Sequence, residues 1–329
     1  MSTLLTHALA DLASLHLSAR SAESASFAGR PALRLDGLAL LPELAMEQGT
    51  LEVEIAAEGP AYPGLVFCAA DTLNYELAYT QPHTSGAWDA LQYDPVFHGA
   101  NTWQLYHGEA YQRATEVPTG RWFTLRVAFQ GRRASISVDG QAPLVVEGLA
   151  HGRSGGLVGL WTYLPAYFRN LRASPGVAIP EQGHAAAPPL GAPWRWVDAW
   201  FVEGYGVAAC EPNGALNLYR YLPSTLLSAT LTRRLAVAQE TDVELALGYG
   251  DVLDLALDDE PLYHGENRFK PSPLWEERGY VAPGHRLRLR LAPGEHRLSA
   301  VVQVDEPFGW GLTLAWQGEG VTLLPAALG

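Results

Sequence analysis

The chain has 329 residues, 48% of them apolar, and its 35 acidic against 22 basic residues give a net charge of −13. This length exceeds what one hydrophobic core ordinarily serves, so two globular domains are expected. The charge repels a phosphate backbone, and the densest basic run, Arg286, Arg288 and Arg290, alternates with leucines like the wet face of one strand, so nucleic acid is excluded as a partner.

Met1 to Leu17 lacks the basic start and unbroken apolar stretch of a secretion signal. No run approaches the roughly 20 apolar residues that a membrane-crossing helix needs. A cytoplasmic protein with no membrane partner is therefore expected. In Leu4 to Leu15 the apolar residues recur at helical spacing, which predicts one short N-terminal helix. From Ser26 onward the pattern becomes short runs of β-branched and aromatic residues broken by Gly, Pro, Asn and Asp, as strands and turns require. Strands are predicted at 32–35, 50–56, 64–69, 75–80, 102–106, 122–130, 133–138, 144–147, 156–161 and 167–172. The most informative unit is RWFTLRVAFQ followed by RRASISVDG, where Phe123, Leu125, Val127 and Phe129 share one face, Gly131 turns, and Ile136 and Val138 return.

Residues 174–193 are rich in Pro, Gly and Ala without periodicity, which reads as a linker. Roughly eight further strands follow it. The predicted fold class is all-β, with two β-sandwich (jelly-roll) domains at 1–175 and 194–329, a linker at 176–193 and no internal repeat. Cys68 and Cys210 fall one in each domain in apolar surroundings, so inert buried thiols are expected rather than a disulfide framework.

Several pieces in order carry a family resemblance: GTLEVEI, GLVFCAADTLNYELAYTQP, ALQYDPV, the hairpin GRWFTLRVAFQGRRASISVDG and GGLVGLWTYLPAYFRNLRA. Through them the first half resembles the concanavalin A-like lectin/glucanase superfamily, in its laminin G-like and keto-disaccharide-hydrolase-like branch. GYGDVLDLALDDEPLYHG, GYVAPGHRLRLRLAPGEHRLSAVV and FGWG make the second half similar to galactose-binding-like jelly rolls. The resemblance implies carbohydrate as the ligand class. It leaves catalysis open.

Glucanases on this scaffold hold paired carboxylates on one strand. Glu52 and Glu54 have that spacing, but LEVEI lacks the further acidic residues of the motif, so the pair reads as an outer sheet face with Val53 and Ile55 turned inward. A richer constellation runs from Asn74 to His107. Sugar recognition pairs aromatic platforms with fixed amide and carboxylate groups, and Asn74, Tyr79, Gln81, Trp88, Gln92, Tyr93, Asn101, Trp103 and Tyr106 are the expected ligand-binding residues, partly on a long loop from Pro82 to Ala100. Asp89, Asp94, His98 and His107 are the acid/base candidates if the chain acts on a glycosidic bond. None of these has the spacing of a metal site. No cofactor is expected. Asp251, Asp254, Asp258, Asp259 and Glu260 read as a strand and a turn, with a structural calcium as the alternative that related jelly rolls imply. Three readings stay open: a carbohydrate-binding, lectin-like protein, a glycoside hydrolase-like enzyme, and a structural module that associates with a second copy or another protein.

Overall fold

The computed structural model describes residues 5–7, 9, 11–181 and 183–327. The chain forms two compact units, Met1–Gly99 with Tyr106–Ala185, and Ala100–Leu105 with Ala186–Gly329. Both are β-sandwiches, and the helical content of the described residues is confined to three-residue 3-10 turns. No helix among them is long and apolar enough to cross a membrane.

The first unit contains β1 (Leu5–His7), β2 (His16–Phe27), β3 (Arg30–Met46), β4 (Gly49–Ala56), β5 (Gly64–Ala69), β6 (Glu76–Thr80), β7 (Leu91–Tyr93), β8 (Gln112–Arg113), β9 (Phe123–Gln130), β10 (Arg133–Val138), β11 (Leu144–Val146) and β12 (Gly156–Ser174). The long strand β12 is the seam of this sandwich. Along one side it pairs with β3 and then β1; along the other, its first half pairs with β5 and its second half with β4. Two branches therefore leave the same strand, β5-β6-β7-β8 and β4-β9-β10-β11. They enclose an apolar core between them, with the ring centroids of Phe67 and Phe129 5.4 Å apart.

The fold turns a corner at one level of three adjacent strands. The pairing of β12 with β3 shifts register between Thr162 and Ala166, and β2 holds an extra residue at Arg20, between Ala19 and Ser21. Between them, Gly37 of β3 has φ +132°, and a Cβ there would lie 2.4 Å from the Ala19 Cα. Only glycine lets β2 and β3 approach so closely while bending.

The second unit contains β13 (Arg195–Trp196), β14 (Ala199–Val202), β15 (Gly206–Ala209), β16 (Ala215–Asn217), β17 (Ser228–Val237), β18 (Thr241–Tyr249), β19 (Asp251–Leu257), β20 (Glu260–Asn267), β21 (His285–Leu291), β22 (Gly294–Gln303), β23 (Gly311–Gln317) and β24 (Val321–Leu323). One sheet runs β13-β23-β18-β21 with β16 beside β23, and the other β15-β14-β17-β22-β19-β20 with β24 beside β17. Val243, Leu245, Leu314 and Trp316 of the first meet Leu235, Leu298 and Val321 of the second. Trp200 and Trp310 are fully buried, and the Trp310 indole donates to the Val302 carbonyl at 3.0 Å.

Three expectations need correction. No α-helix forms in the described part of 4–15: Leu5–His7 is a strand, Leu12–Ser14 a 3-10 turn and Leu9 has φ +62°, while Leu4, Ala8 and Ala10 lie outside the described residues. Pairing of Leu5–His7 with residues 171–173 of β12 outweighs the local helical spacing. Residues 102–106 form a turn, not a strand. The expected linker is divided: Gly176 accepts from the Thr50 hydroxyl at 2.6 Å, Pro180 accepts from Arg133 at 2.8 Å and His184 bridges to Val146, so the described residues among 176–185 group with the first unit.

Candidate functional site

Most of the polar and aromatic residues expected to meet a ligand are interior. Gln81, Gln92, Tyr93 and Tyr106 are buried, as are the acid/base candidates Asp89 and Asp94, while His98 and His107 are half-buried. They build the long loop from within. Tyr93 donates to Glu76 Oε2 at 2.6 Å and accepts from the Ala150 N–H at 2.7 Å, while the His151 N–H donates to Glu76 Oε1 at 3.0 Å. A fully buried carboxylate is thereby satisfied at both oxygens, which is what lets it stay inside. Tyr106 and Tyr111 pack on the Tyr93 ring at 6.2 and 5.9 Å, and Gln81 donates to the Asp89 carbonyl at 2.7 Å. Asn74 staples its own turn, donating to Asp71 and accepting from the His98 N–H at 3.1 Å. Trp88 is half-buried on the same loop.

Asn101 and Trp103 are in the other unit. There Trp103 is 8% exposed, with the rings of Phe269, Tyr280 and Phe308 each 5.6 Å away and the Arg278 guanidinium over its face at 5.5 Å. Gln104 fastens the same segment, its N–H donating to Phe308, its carbonyl accepting from Val281 and its amide donating to Arg278. Trp103 is thus a core residue of the second unit. It presents no platform.

An outward-facing aromatic group lies instead at the corner of the first sandwich. Tyr163 is 50% exposed at the bend of β12, and its carbonyl accepts from the Tyr62 N–H at 3.0 Å. The Tyr62 ring lies 5.8 Å from Tyr163, 4.9 Å from the exposed His83 and 6.1 Å from Tyr79, and Tyr79 lies 5.9 Å from Trp161. Of the residues expected from sequence, only Tyr79 enters this group. Beneath it is an apolar bed of Leu38, Leu40, Val66 and Leu77. At its end the Arg20 guanidinium stands 5.0 Å over Tyr163 while holding Asp36 through two hydrogen bonds of 2.9 and 2.5 Å. The Asp36 bond, offset in part by burial, raises the Arg20 pKa. The backbone here is strained, with Leu164 at φ +68° and its carbonyl accepting from the Thr162 hydroxyl at 2.7 Å. A non-glycine residue in that region is costly and persists only where its surroundings enforce it.

These residues were missed because each looks ordinary in sequence. Trp161 and Tyr163 are two apart, hence on one face of a strand, and Pro165 follows where a central ladder cannot continue. That was the available signal. Tyr62, between two prolines, gave none.

Several titratable groups elsewhere have readable places in the fold. Glu52 and Glu54 lie on the outer face of β4 with Val53 and Ile55 in the core. Asp254 and Asp258 pair with His264 and His296 at 2.7 and 2.6 Å, and Asp258–Asp259, both at positive φ, form the two-residue turn between β19 and β20. Asp251 is buried, its Oδ2 accepting from the Asp305 and Glu306 N–H groups at 2.6 and 3.0 Å while Oδ1 has no hydrogen-bond partner. Burial raises its pKa. Among the described residues no three His, Cys, Asp or Glu side chains are grouped to hold a metal ion. Burial pushes both the Cys68 and the Cys210 thiol up to about 12, away from reactivity.

No family model and no curated protein matches the chain. Among solved structures it is similar to the carbohydrate-binding module CBM66 from Bacillus subtilis, at 18% identity over 47% of this chain and 93% of that one, with a TM-score of 0.37. A Bacillus subtilis protein of unknown function with a galectin-like fold is similar at 12% identity over 53% of this chain and 96% of that one, TM-score 0.41. Domain 4 of AbnA, an extracellular arabinanase from Geobacillus stearothermophilus solved with arabinotriose, is similar at 15% identity over 55% of this chain and 85% of that domain, TM-score 0.33. With TM-scores below 0.5, none of these likenesses bears on function.

Proposed function

We propose that the chain is a lectin-like carbohydrate-binding protein and that the sugar rests on Tyr62, Tyr163 and His83, with Tyr79 and Trp161 behind them. The observation that carries this reading is the outward-facing aromatic row on a strained bend, ending in a fixed Arg20–Asp36 pair. A pyranose needs both parts. Its C–H face packs on a ring, and its hydroxyls need donors and acceptors that do not move on binding. Arg20 supplies N–H donors and Asp36 supplies acceptor oxygens, each held by the other. The concanavalin A-like assignment of the first sandwich, and the galactose-binding-like assignment of the second, belong to the same proposal and rest on the sequence pieces that resemble those families.

The test is a thermal-shift and calorimetric screen of the whole chain against neutral oligosaccharides, with Tyr163→Ala and Arg20→Gln beside the parent. Ligand-dependent stabilisation that is lost in both variants supports the reading. Binding left unchanged in both, or no binding by the parent at millimolar sugar, overturns it.

A further inference from the structure

We propose a second, separate subsite on the outer face of β4, β9 and β12 that takes the oxyanion of an acidic saccharide, a uronate carboxylate or a sugar sulfate. Alternation puts Glu52 and Glu54 of β4 and Arg126 of β9 on one outer face, the register shift of β12 between Arg169 and Arg172 brings both of those arginines opposite them, and Arg30 reaches the face from β3. Four guanidiniums here share two carboxylates. The face is therefore cationic in a chain whose net charge is −13.

The pairings are also loose. Arg126 and Arg172 stand 3.6 and 3.9 Å from Glu52, and Arg169, Arg30 and Arg172 stand 3.4, 3.7 and 3.7 Å from Glu54. Charge-assisted hydrogen bonds close at roughly 2.7–2.9 Å, and Arg133 with Glu147 on the same sandwich does so at 2.6 and 2.9 Å. Glu54 instead takes its short bond from the Asn170 amide, at 2.7 Å. The guanidinium donors thus keep hydrogen-bonding capacity for an incoming anion.

Arg126 and Arg172 open onto a recess of about 340 Å³ with Thr50, Glu52, Ser174 and Gly176 around it. Two guanidiniums against one carboxylate leave that recess positive. Just before β9, four residues and about 13 Å at strand rise from Arg126, Trp122 packs edge-on against Phe27 at 5.5 Å, and Phe27 packs against Tyr167 at 5.0 Å. The aromatic row at one end and the anion recess at the other are what select a saccharide over a bare anion. This subsite stands independently of the row at Tyr163.

The experiment is calorimetry on the full chain at low and high salt with a galacturonate trisaccharide, a heparin-derived sulfated disaccharide, neutral galactotriose and sodium sulfate. Arg126→Gln and Arg172→Gln are compared with Arg290→Gln, which removes the same charge from the second unit. The expected result is salt-sensitive binding of one acidic saccharide, weakened about tenfold or more by either recess variant, and unchanged by Arg290→Gln. Which acidic saccharide binds tells carboxylate from sulfate. Galactotriose binding that falls in the recess variants as much as acidic-sugar binding does, equal binding of sulfate alone, no binding of either acidic sugar, or parent-like affinity in both recess variants overturns the proposal. Arg172, the more exposed of the two, keeps the test valid if Arg126→Gln fails to fold.

Discussion

The loop around Tyr93 and the corner around Tyr163 contain the same kinds of residue, yet one is sealed and the other faces water. In the loop, tyrosine hydroxyls and amides are spent on Glu76, Ala150 and Asp89. At the corner, the rings stand on an apolar bed and the polar pair Arg20–Asp36 is closed on itself beside them. What separates the sealed loop from the proposed recognition surface is therefore where the polar groups find their partners, inside the core or at the surface, and residue composition does not reveal it.

The contrast is broken most sharply by Tyr93→Ala. Losing a fully buried ring and the donor to Glu76 is expected to cost about 3–5 kcal/mol, read as the denaturant midpoint of the transition that reports the first unit. A loss below about 1 kcal/mol would place Tyr93 with the recognition residues after all. Trp103→Ala, which empties the space among Phe269, Tyr280 and Phe308, is expected to cost about 3 kcal/mol in the second unit, with amide protection falling at Gln104 and Val281 in hydrogen exchange. Sugar affinity per folded molecule should not change in either variant.

Asp251 sharpens the comparison, because it is buried like Glu76 but has an oxygen without a partner. Its folded-state pKa is raised by burial above the ordinary aspartate value, so the neutral form is the one that favours folding. Its contribution is fully present below the unfolded pKa and is lost as pH rises through the raised value. The midpoint of the second unit should therefore decline as pH rises above about 4, and Asp251→Asn, which keeps an acceptor for the Asp305 and Glu306 N–H groups and tolerates positive φ, should flatten that decline. A parallel pH profile in parent and variant would assign the dependence to other groups. The smallest stability effect belongs to Tyr163→Ala, within about 0.5 kcal/mol of the parent, while oligosaccharide binding is lost.

The parts legible in the sequence are those where burial alternates. Phe123, Leu125, Val127 and Phe129 are all in the core, and Gly131 turns at φ +58° before β10. The same alternation placed Val53 and Ile55 inside. The strand β2 was illegible because it is exposed on both faces at most positions, so His16 to Phe27 reads as a run of serines and alanines with no period. In β12 the bend at Tyr163 to Pro165 looked like the gap between two strands, and the corner stayed hidden with it. Asn101 and Trp103 were misassigned for a different cause: six residues, 100–105, leave the chain order of the first unit for the core of the second, and no local pattern marks such an excursion.

That excursion sets how the gene can be cut. The Pro- and Ala-rich stretch invites a boundary, but a fragment ending near residue 185 carries Trp103 and Gln104 without Phe269, Tyr280, Phe308 and Arg278, and a fragment starting near 186 has the opposite vacancy. Each half expressed alone should expose apolar surface and aggregate, while the two co-expressed halves should recover solubility together. During synthesis, Trp103 emerges well before its second-unit neighbours, so this hexapeptide must wait for the C-terminal half to be made before its ring is covered.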